Sequence, residues 1–288
     1  YFTWLTGFAL LCVIYYWNAD LYMVDSRVAE LSGAQAIGIG LASLLLSWLF
    51  YDLLCRSAAG KNQVLTAFLI FAWFGLLSWL LSTFLSGRAA YIHVGAAIGT
   101  IMVANVFFVI IPSQKELIEA VREQRTPDPQ IGKNALLRSR HNNYFTLPVL
   151  FIMISNHYSA TFGHAWNWLV LLAISLAGVG IRHWFNIRHL EKHSRLVLPV
   201  SLLLLLVVII ALRPQLPLKQ EVGMTYPSTA EVMSVVRKNC TICHCANPVH
   251  PGVVAAPVGI VGDGERGVDR VARGVQTATV VTQSMPLA

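Results

Sequence analysis

Residues 64–85 read VLTAFLIFAWFGLLSWLLSTFL and contain no charged side chain. A helix of about 20 apolar residues is long enough to cross the hydrocarbon core of a bilayer. Further apolar stretches lie at 1–18, 34–54, 91–111, 144–157, 164–181 and 196–212, the one at 144–157 being expected to extend back to His141. Only helices satisfy the backbone polar groups in lipid at these lengths. The sequence therefore predicts an all-α fold, a polytopic transmembrane helix bundle with about seven spans.

The composition supports a membrane protein. Of the 288 residues, 56% are hydrophobic and only 12% are charged. A soluble domain carries about 25% charged residues. The net charge of +7 comes from basic residues that flank the apolar stretches. These basic residues do not form a patch with interleaved aromatic residues of the kind that binds nucleic acid. The predicted partner is therefore membrane lipid, and nucleic acid is not expected.

Basic residues alternate between successive loops. Segments 55–63, 112–143 and 182–195 hold twelve of them, whereas the other short loops hold only Arg27 and Arg88. Because cytoplasmic loops carry the excess of Lys and Arg, these three segments are predicted to face the cytoplasm. The chain after Leu212 then lies outside, in the periplasm of a Gram-negative bacterium. The predicted localisation is a multi-pass protein of the bacterial inner (cytoplasmic) membrane.

The composition changes after the last apolar stretch. We divide the chain into a transmembrane domain at 1–212, a linker at 213–225 and a small cytochrome c-like α domain at 226–288. Ser228 and Glu231 have the spacing of a helix N-terminus with a capping box, which predicts a helix that ends near Cys240.

Residues 240–244 read CTICH, the attachment signature of c-type haem. The thiols of Cys240 and Cys243 add across the haem vinyl groups, and His244 becomes the proximal iron ligand. A zinc site or a thiol redox pair would also use C-x-x-C. Zinc needs a second ligand pair, and a thioredoxin-like motif needs a βαβ context. Covalent haem c is therefore the predicted cofactor.

The sixth iron ligand has two candidates. Met285 follows the proximal histidine at a distance suited to a small cytochrome, and a thioether ligand favours electron transfer. His250 is the rival, although its short separation from His244 disfavours ligation on the opposite face. A carbonyl of Pro248, Pro251 or Pro257 could accept a hydrogen bond from the proximal imidazole.

Polar residues within and beside the spans form two predicted layers, and such residues often mark function. The outer layer contains Asp20, Asp25, Arg88, His93, Asn156, His157, Tyr158 and His164, and the inner layer contains Arg140, His141, Asn142, Asn143, Tyr144, Arg182 and His183. Histidines on separate helices at one depth could hold a haem b or another metal. Interfacial residues that face water would give the same pattern. Asn105 is predicted to form a helix–helix hydrogen bond.

Five strings resemble the bacterial membrane-bound urate oxidase family (PuuD type). They are DSRVAE at 25–30, GRAAYIHVG at 87–95, IPSQ at 111–114, SRHNNY at 139–144 and SNHY at 155–158. The resemblance covers residues 1–212, with the cytochrome segment appended as in the family. Compared with the family, the first helix and the segment after Met285 are missing and Cys245 is unusual, so we expect a chain shortened at both ends.

The resemblance implies oxidation of urate to 5-hydroxyisourate, with electrons passed to the attached cytochrome c and on to a respiratory-chain acceptor. Urate is a planar anion, so its site would use Arg or Asn for the polar edges and His as a base. The candidate catalytic residues in the two layers are Arg88, His93, His157, His141, Asn142 and Asn143. Two alternatives remain, a membrane-anchored electron-transfer cytochrome c and an intramembrane b/c-type quinol oxidoreductase.

Overall fold

The computed structural model describes residues 2–189, 194–213, 227–250, 253, 255–257, 260–276, 278–279 and 285. The chain divides into two compact units, Tyr1–Leu212 and Arg213–Ala288. Most of the predicted linker at 213–225 lies outside the described residues. The described part is helical and contains no strand beyond an isolated bridge between Asp25 and Ala29. The predicted all-α bundle is confirmed.

The helices of the first unit follow one another with short connections. They are α1 (Phe2–Leu11), a π-helical segment (Cys12–Tyr16), α2 (Ala19–Tyr22), α3 (Gly33–Arg56), α4 (Gln63–Phe84), α5 (Gly87–Ala104), a second π-helical segment (Asn105–Ile110), α6 (Ile111–Arg122), α7 (Pro129–Ser155), α8 (Ser159–Phe162), α9 (Asn167–Ile187) and α10 (Ser194–Ala211). A short 3₁₀ turn, Ala59–Lys61, joins α3 to α4. The second unit contains α11 (Thr229–Asn239) and α12 (Glu265–Gln276).

Each apolar stretch found in the sequence is largely covered by one or more of these helical segments. By length and composition, four continuous helical segments could cross a membrane: Gly33–Arg56, Gln63–Phe84, Gly87–Arg122 and Asn167–Ile187. Shorter apolar helices cover Phe2–Tyr16 and Arg195–Ala211. The stretch at 144–157 belongs to the 27-residue α7, which extends back well beyond His141. The figure of seven spans stays a prediction.

Helix α5 lies at the centre of the bundle and packs on α1, α3, α4 and α7. Its buried face is rich in small residues, among them Ala89, Ala90 and Ala97. Small side chains let helix backbones approach closely in a membrane, where packing drives association. At Gly95 a methyl group would overlap the side chain of Ile152 on α7. The sequence of α5 thus sets how closely α7 packs against it.

The segment 112–143 is not the loop that the charge pattern predicted. It contains α6 and the first turns of α7, joined by a short turn at 123–128. Gln124 takes the left-handed conformation that ends α6, and Asp128 caps α7 immediately before Pro129. The segment has high polarity because α6 is amphipathic, with one charged face. Its basic residues therefore belong to helices, and one of them, Arg138, is buried.

Candidate functional site

Two groups of hydrogen-bonded polar side chains lie inside the first unit. We call them the His93 cluster (Tyr15, Tyr16, His93, Asn156) and the Arg138 cluster (Tyr51, Asp52, Asn105, Arg138, His141, Asn142). His93 and Asn105 are twelve residues apart on one continuous helix. At 1.5 Å per residue, the two clusters are about 18 Å apart along its axis. The structure therefore contains two polar levels, as the sequence suggested.

The imidazole of His93 is fully buried and both of its nitrogens are used. Nδ1 lies 2.8 Å from the carbonyl oxygen of Ala89. Since a carbonyl only accepts, Nδ1 carries the proton and Nε2 accepts from the hydroxyl of Tyr16 at 3.2 Å. The ring stacks on Tyr16, and its Nε2 edge faces the backbone of α3 at Gly40. This closed environment does not fit a haem or metal ligand, which would need Nε2 free and space before it.

The other predicted outer residues are dispersed around this ring. Tyr15 donates to Asn156 Oδ1 at 3.2 Å, which ties the first π-helical segment to the end of α7. The guanidinium of Arg88 lies over the ring of Phe162, 5.3 Å from its centroid. His157 is exposed just after α7, where its backbone N–H bonds Ile154. The structure thus buries His93 and leaves His157 at the surface of the unit.

Arg138 is the centre of the second cluster, with only 5% of its surface exposed. Its Nη2 donates to Asp52 Oδ1 at 2.8 Å and its Nη1 donates to Asn105 Oδ1 at 3.2 Å. The guanidinium also lies over the ring of Tyr51, 4.9 Å from its centroid. A buried arginine needs this kind of pairing, because an isolated buried charge costs several kcal/mol. Arg138 therefore fastens α7 to α3 and α5.

Asn105 extends this network to His141. Its amide group donates to Tyr51 Oη at 2.9 Å and to Asn142 Oδ1 at 2.8 Å, which confirms the predicted helix–helix role. Tyr51 Oη lies 2.8 Å from His141 Nδ1. Tyr51 accepts from Asn105 and donates its own proton to Nδ1 in the His141 tautomer that is protonated on Nε2. The described residues offer this Nε2 no partner, so it is available as a donor.

The neighbours Asn142 and Asn143 serve different helix contacts. Asn142 belongs to the Arg138 cluster and also donates to the carbonyl of Met102 at 2.9 Å. Asn143 accepts from Arg182 at 2.8 Å and from Asn186 at 2.9 Å, on α9. Adjacent helical residues point about 100° apart, so the predicted inner layer separates into two faces of α7. The exposed Arg140 belongs to neither contact.

A cavity of about 430 Å³ opens beside the Arg138 cluster. Its lining includes the aromatic side chains of Trp48 and Phe108 and the polar residues Asp52, Arg56 and Asn105. Asp52 bonds Arg56 as well as Arg138, with its Oδ2 atom 2.7 Å from Arg56 Nε. The cavity thus combines aromatic walls with charged groups at one end of α3.

Sequence reasoning missed several members of these clusters. Arg138 was counted as a loop charge, and Asp52, Tyr51 and Tyr16 were not singled out. Asp52 could have been found, because an acidic residue within an apolar stretch is costly without a function or a partner. Both π-helical segments border a cluster, one ending at Tyr16 and the other beginning at Asn105. Such segments are frequent at functional sites, but no sequence signal used here locates them.

The second unit presents the CTICH motif at the end of a capped helix. The predicted capping box is confirmed: Ser228 and Glu231 exchange hydrogen bonds, and α11 ends at the Cys240 C-cap. The N–H of His244 bonds the carbonyl of Cys240 at 2.8 Å, so the motif forms a helical turn. Burial raises the pKa of Cys240, and burial together with the nearby Cys245 raises that of Cys243. Both thiols are free of disulfide bonds.

The hydrogen bond made by the His244 ring fits the predicted role of iron ligand. Its Nδ1 lies 3.1 Å from the carbonyl oxygen of Ile260, which fixes the proton on Nδ1 and leaves Nε2 available to a metal. The acceptor is therefore Ile260 and not one of the prolines considered from the sequence, of which Pro251 lies outside the described residues. His250 bonds Ile242 through its backbone, and Met285 bonds Ala278 in the same way. Within the described residues, Cys240, Cys243 and His244 would hold the haem, and Met285 stays the predicted sixth ligand.

These features define a helical membrane protein that buries two polar clusters and carries a separate unit with a C-x-x-C-H motif. Within that class, the chain belongs to the urate oxidase N-terminal family, whose model matches residues 1–213. The predicted resemblance is confirmed over this range. Membership supports a function related to urate oxidation and hence an oxidoreductase. Comparison with curated proteins and with solved structures gives no match.

Proposed function

We propose that the protein oxidises urate to 5-hydroxyisourate in the membrane, with electrons passing to a haem c on the second unit. The proposal rests on the presence of two features in one chain. Residues 1–213 match the urate oxidase N-terminal family, and the following CTICH motif holds His244 with Nδ1 committed to Ile260. A covalent c-type haem on this motif would accept electrons one at a time and deliver them to a respiratory-chain acceptor.

The reaction balances with these components. Urate and water give 5-hydroxyisourate, two electrons and two protons, so each urate reduces two one-electron acceptors. Oxygen need not react at the site, and hydrogen peroxide is then not a product. The protons require acceptors near the substrate, a role for which imidazole is suited near neutral pH. His141 and His93 are the buried or half-buried histidines of the two clusters, and we propose that the site uses one of these levels.

The proposed location is the bacterial inner membrane with the haem unit in the periplasm. The basic residues of 55–63, 112–143 and 182–195 support this orientation by the positive-inside rule. The exposure of Arg56, Arg122 and Arg125 is consistent with contact between this end of the bundle and water or headgroups. An outward second unit would also agree with the compartment in which c-type haem is attached.

The test is anaerobic reduction of the haem by urate. Membranes containing the full chain are oxidised, transferred to oxygen-free buffer and mixed with urate, and the reduced haem c absorption band is followed. We expect two haem equivalents reduced for each urate consumed, and no peroxide when an acceptor and air are supplied. Hypoxanthine, which has the purine ring but lacks the carbonyl groups that urate carries at C2 and C8, serves as the control.

The alternatives give different results. A membrane-anchored electron carrier would hold covalent haem that urate does not reduce. An intramembrane b/c-type quinol oxidoreductase would release a non-covalent haem on acid–acetone extraction and would be reduced by quinol. The closed environment of His93 disfavours that second haem at His93.

A further inference from the structure

The cavity beside Asp52 carries one unbalanced positive charge. Asp52 is bonded to two arginines, Arg138 through Oδ1 at 2.8 Å and Arg56 through Oδ2 at 2.7 Å. Within the described residues, neither arginine bonds a second carboxylate. Arg138 and Asp52 are largely shielded from water and Arg56 is exposed, so an anion that enters the cavity from this end meets an excess of positive charge.

We propose that this cavity, between α3 and the π-helical segment Asn105–Ile110, binds a planar monoanion with paired polar edges. The identification of that anion as urate rests on the proposed function. Trp48 and Phe108 provide the aromatic faces, and Arg56 and Asp52 provide the polar edge. Arg138 is a positioning residue, because it lies behind Asp52 and Asn105 rather than in the lining of the cavity.

Size and shape agree with this ligand. The volume of about 430 Å³ lies within the range of small-molecule sites, roughly 300 to 1,000 Å³. The rings of Trp48 and Phe108 pack against each other, with centroids 5.8 Å apart and planes tilted by 36°, so they form one continuous aromatic wall of the cavity. Planar heterocycles stack on such rings, and the aromatic contact excludes water from their faces.

The polar edge offers both donors and an acceptor. Arg56 uses Nε for Asp52, and its two Nη groups make no hydrogen bond within the described residues. These N–H groups can donate in parallel to neighbouring anionic oxygen and nitrogen atoms. Oδ1 of Asp52 accepts a hydrogen bond from Arg138 and Oδ2 forms an ion pair with Arg56, and the carboxylate retains lone pairs for a ring N–H. A planar anion with adjacent acceptor and donor atoms satisfies both groups.

The backbone explains why these groups meet. Asp52 and Arg56 are one turn apart on α3, as is Trp48 on the other side of Asp52. Across the cavity, the lining residues Asn105, Phe108 and Val109 belong to the π-helical segment. Arg138 then holds Asp52 and Asn105 at fixed positions by donating to both. The cavity therefore has a built polar edge on a rigid pair of helices.

The test compares Arg56→Gln with Lys61→Gln in the full-length protein with its haem. Both substitutions remove one positive charge from an exposed side chain at the same end of the bundle. Loss of charge-assisted hydrogen bonds of about 1.5–3 kcal/mol should raise the KM for urate roughly 10- to 100-fold in Arg56→Gln. Lys61→Gln should change KM less than twofold. Equal KM values in the two variants would overturn the proposal.

A binding measurement separates this inference from the proposed function. Labelled urate is bound to protein that has been fully reduced beforehand, in nanodiscs of neutral lipid, so that no turnover occurs. Weaker binding in Arg56→Gln than in Lys61→Gln supports the site. If urate reduces the haem in wild-type protein but Arg56→Gln binds it normally, the site assignment fails and the function stands. If the variant loses only co-purified anionic lipid, the cavity binds a headgroup and the proposal is wrong.

Discussion

Substituting Gly40 by alanine tests the closed environment of His93. A methyl group at this position of α3 would lie 2.5 Å from Nε2 and 2.8 Å from Cδ2 of the imidazole. The ring cannot easily retreat, because it is fully buried and bonded to Ala89 on its other side. Two residues earlier on the same helix, Gly38 has no atom within 4 Å of such a methyl group. The alanine substitutions at Gly40 and Gly38 therefore differ mainly in the atoms that the added methyl group contacts.

The two substitutions should shift stability in opposite directions. Alanine in place of a helical glycine stabilises by roughly 0.5–1 kcal/mol, which is the expected result for Gly38→Ala. At Gly40, forcing a methyl group into a packed core costs about 1–3 kcal/mol. Displacing the ring also weakens the Tyr16–His93 hydrogen bond, a further loss of about 0.5–1.5 kcal/mol. Gly40→Ala should therefore destabilise the protein by about 0.5–4 kcal/mol after the helix gain is included.

The free energy of unfolding can be measured by SDS titration in mixed micelles, with tryptophan fluorescence as the signal. Gly38→Ala is the matched control for helix propensity. In a second control, Tyr16→Phe is added to Gly40→Ala. The double variant should be little more stable than Gly40→Ala alone, since the methyl group contacts the imidazole itself. If Gly40→Ala stabilises the protein as much as Gly38→Ala does, the close approach of α3 to His93 is refuted.

Three further predictions follow from other parts of the molecule. Cys240→Ala should abolish covalent haem staining after gel electrophoresis, whereas Cys245→Ala should retain it; stain persisting in the first variant would show that the attachment site is wrong. Asn105→Leu leaves Tyr51, Asn142 and Arg138 each short of a partner, at about 1–3 kcal/mol per buried group, and should lower the unfolding free energy in SDS titration by at least about 3 kcal/mol. A change below about 1 kcal/mol would mean that these bonds are not made. The hydrogen bonds from Arg27 lower the pKa of Asp25, so this carboxylate stabilises the fold above its ordinary pKa of about 4, and the contribution is lost as pH falls through the lowered value. The stability difference between wild type and Asp25→Asn should therefore shrink below about pH 4, and a constant difference would contradict the pairing.

The fold was largely predictable because membrane helices are encoded by composition and length. Residues 64–85 already specify a span, and the capping box at Ser228 specifies the start of α11. The segment 112–143 was misread because its charges resemble those of a loop. A charge count does not distinguish an amphipathic helix from an irregular connection, since both place polar groups in water.

The candidate site was only partly predictable. Histidines and asparagines near span ends were identified, but which of them meet depends on how helices pack. His93 is buried because Gly40 allows α3 to approach it, whereas His157 lies past the end of α7 and remains exposed. Asn142 and Asn143 are adjacent in sequence yet contact different helices. Arg138 could be placed only once α7 was known to extend through it.

The continuous helical segment Gly87–Arg122 is long enough to help determine which compartment each end of the bundle faces. Its 36 residues extend about 54 Å, whereas the hydrocarbon core is only about 30 Å thick. The polar α6 packs on α7, and we expect α6 and the first turns of α7 to project from the bilayer as an antiparallel stalk, with the turn at 123–128 at its tip. A protease that cleaves after arginine would reach Arg125 from one side of sealed vesicles alone. The fragment pattern of right-side-out and inverted vesicles would thus report directly which compartment the stalk enters.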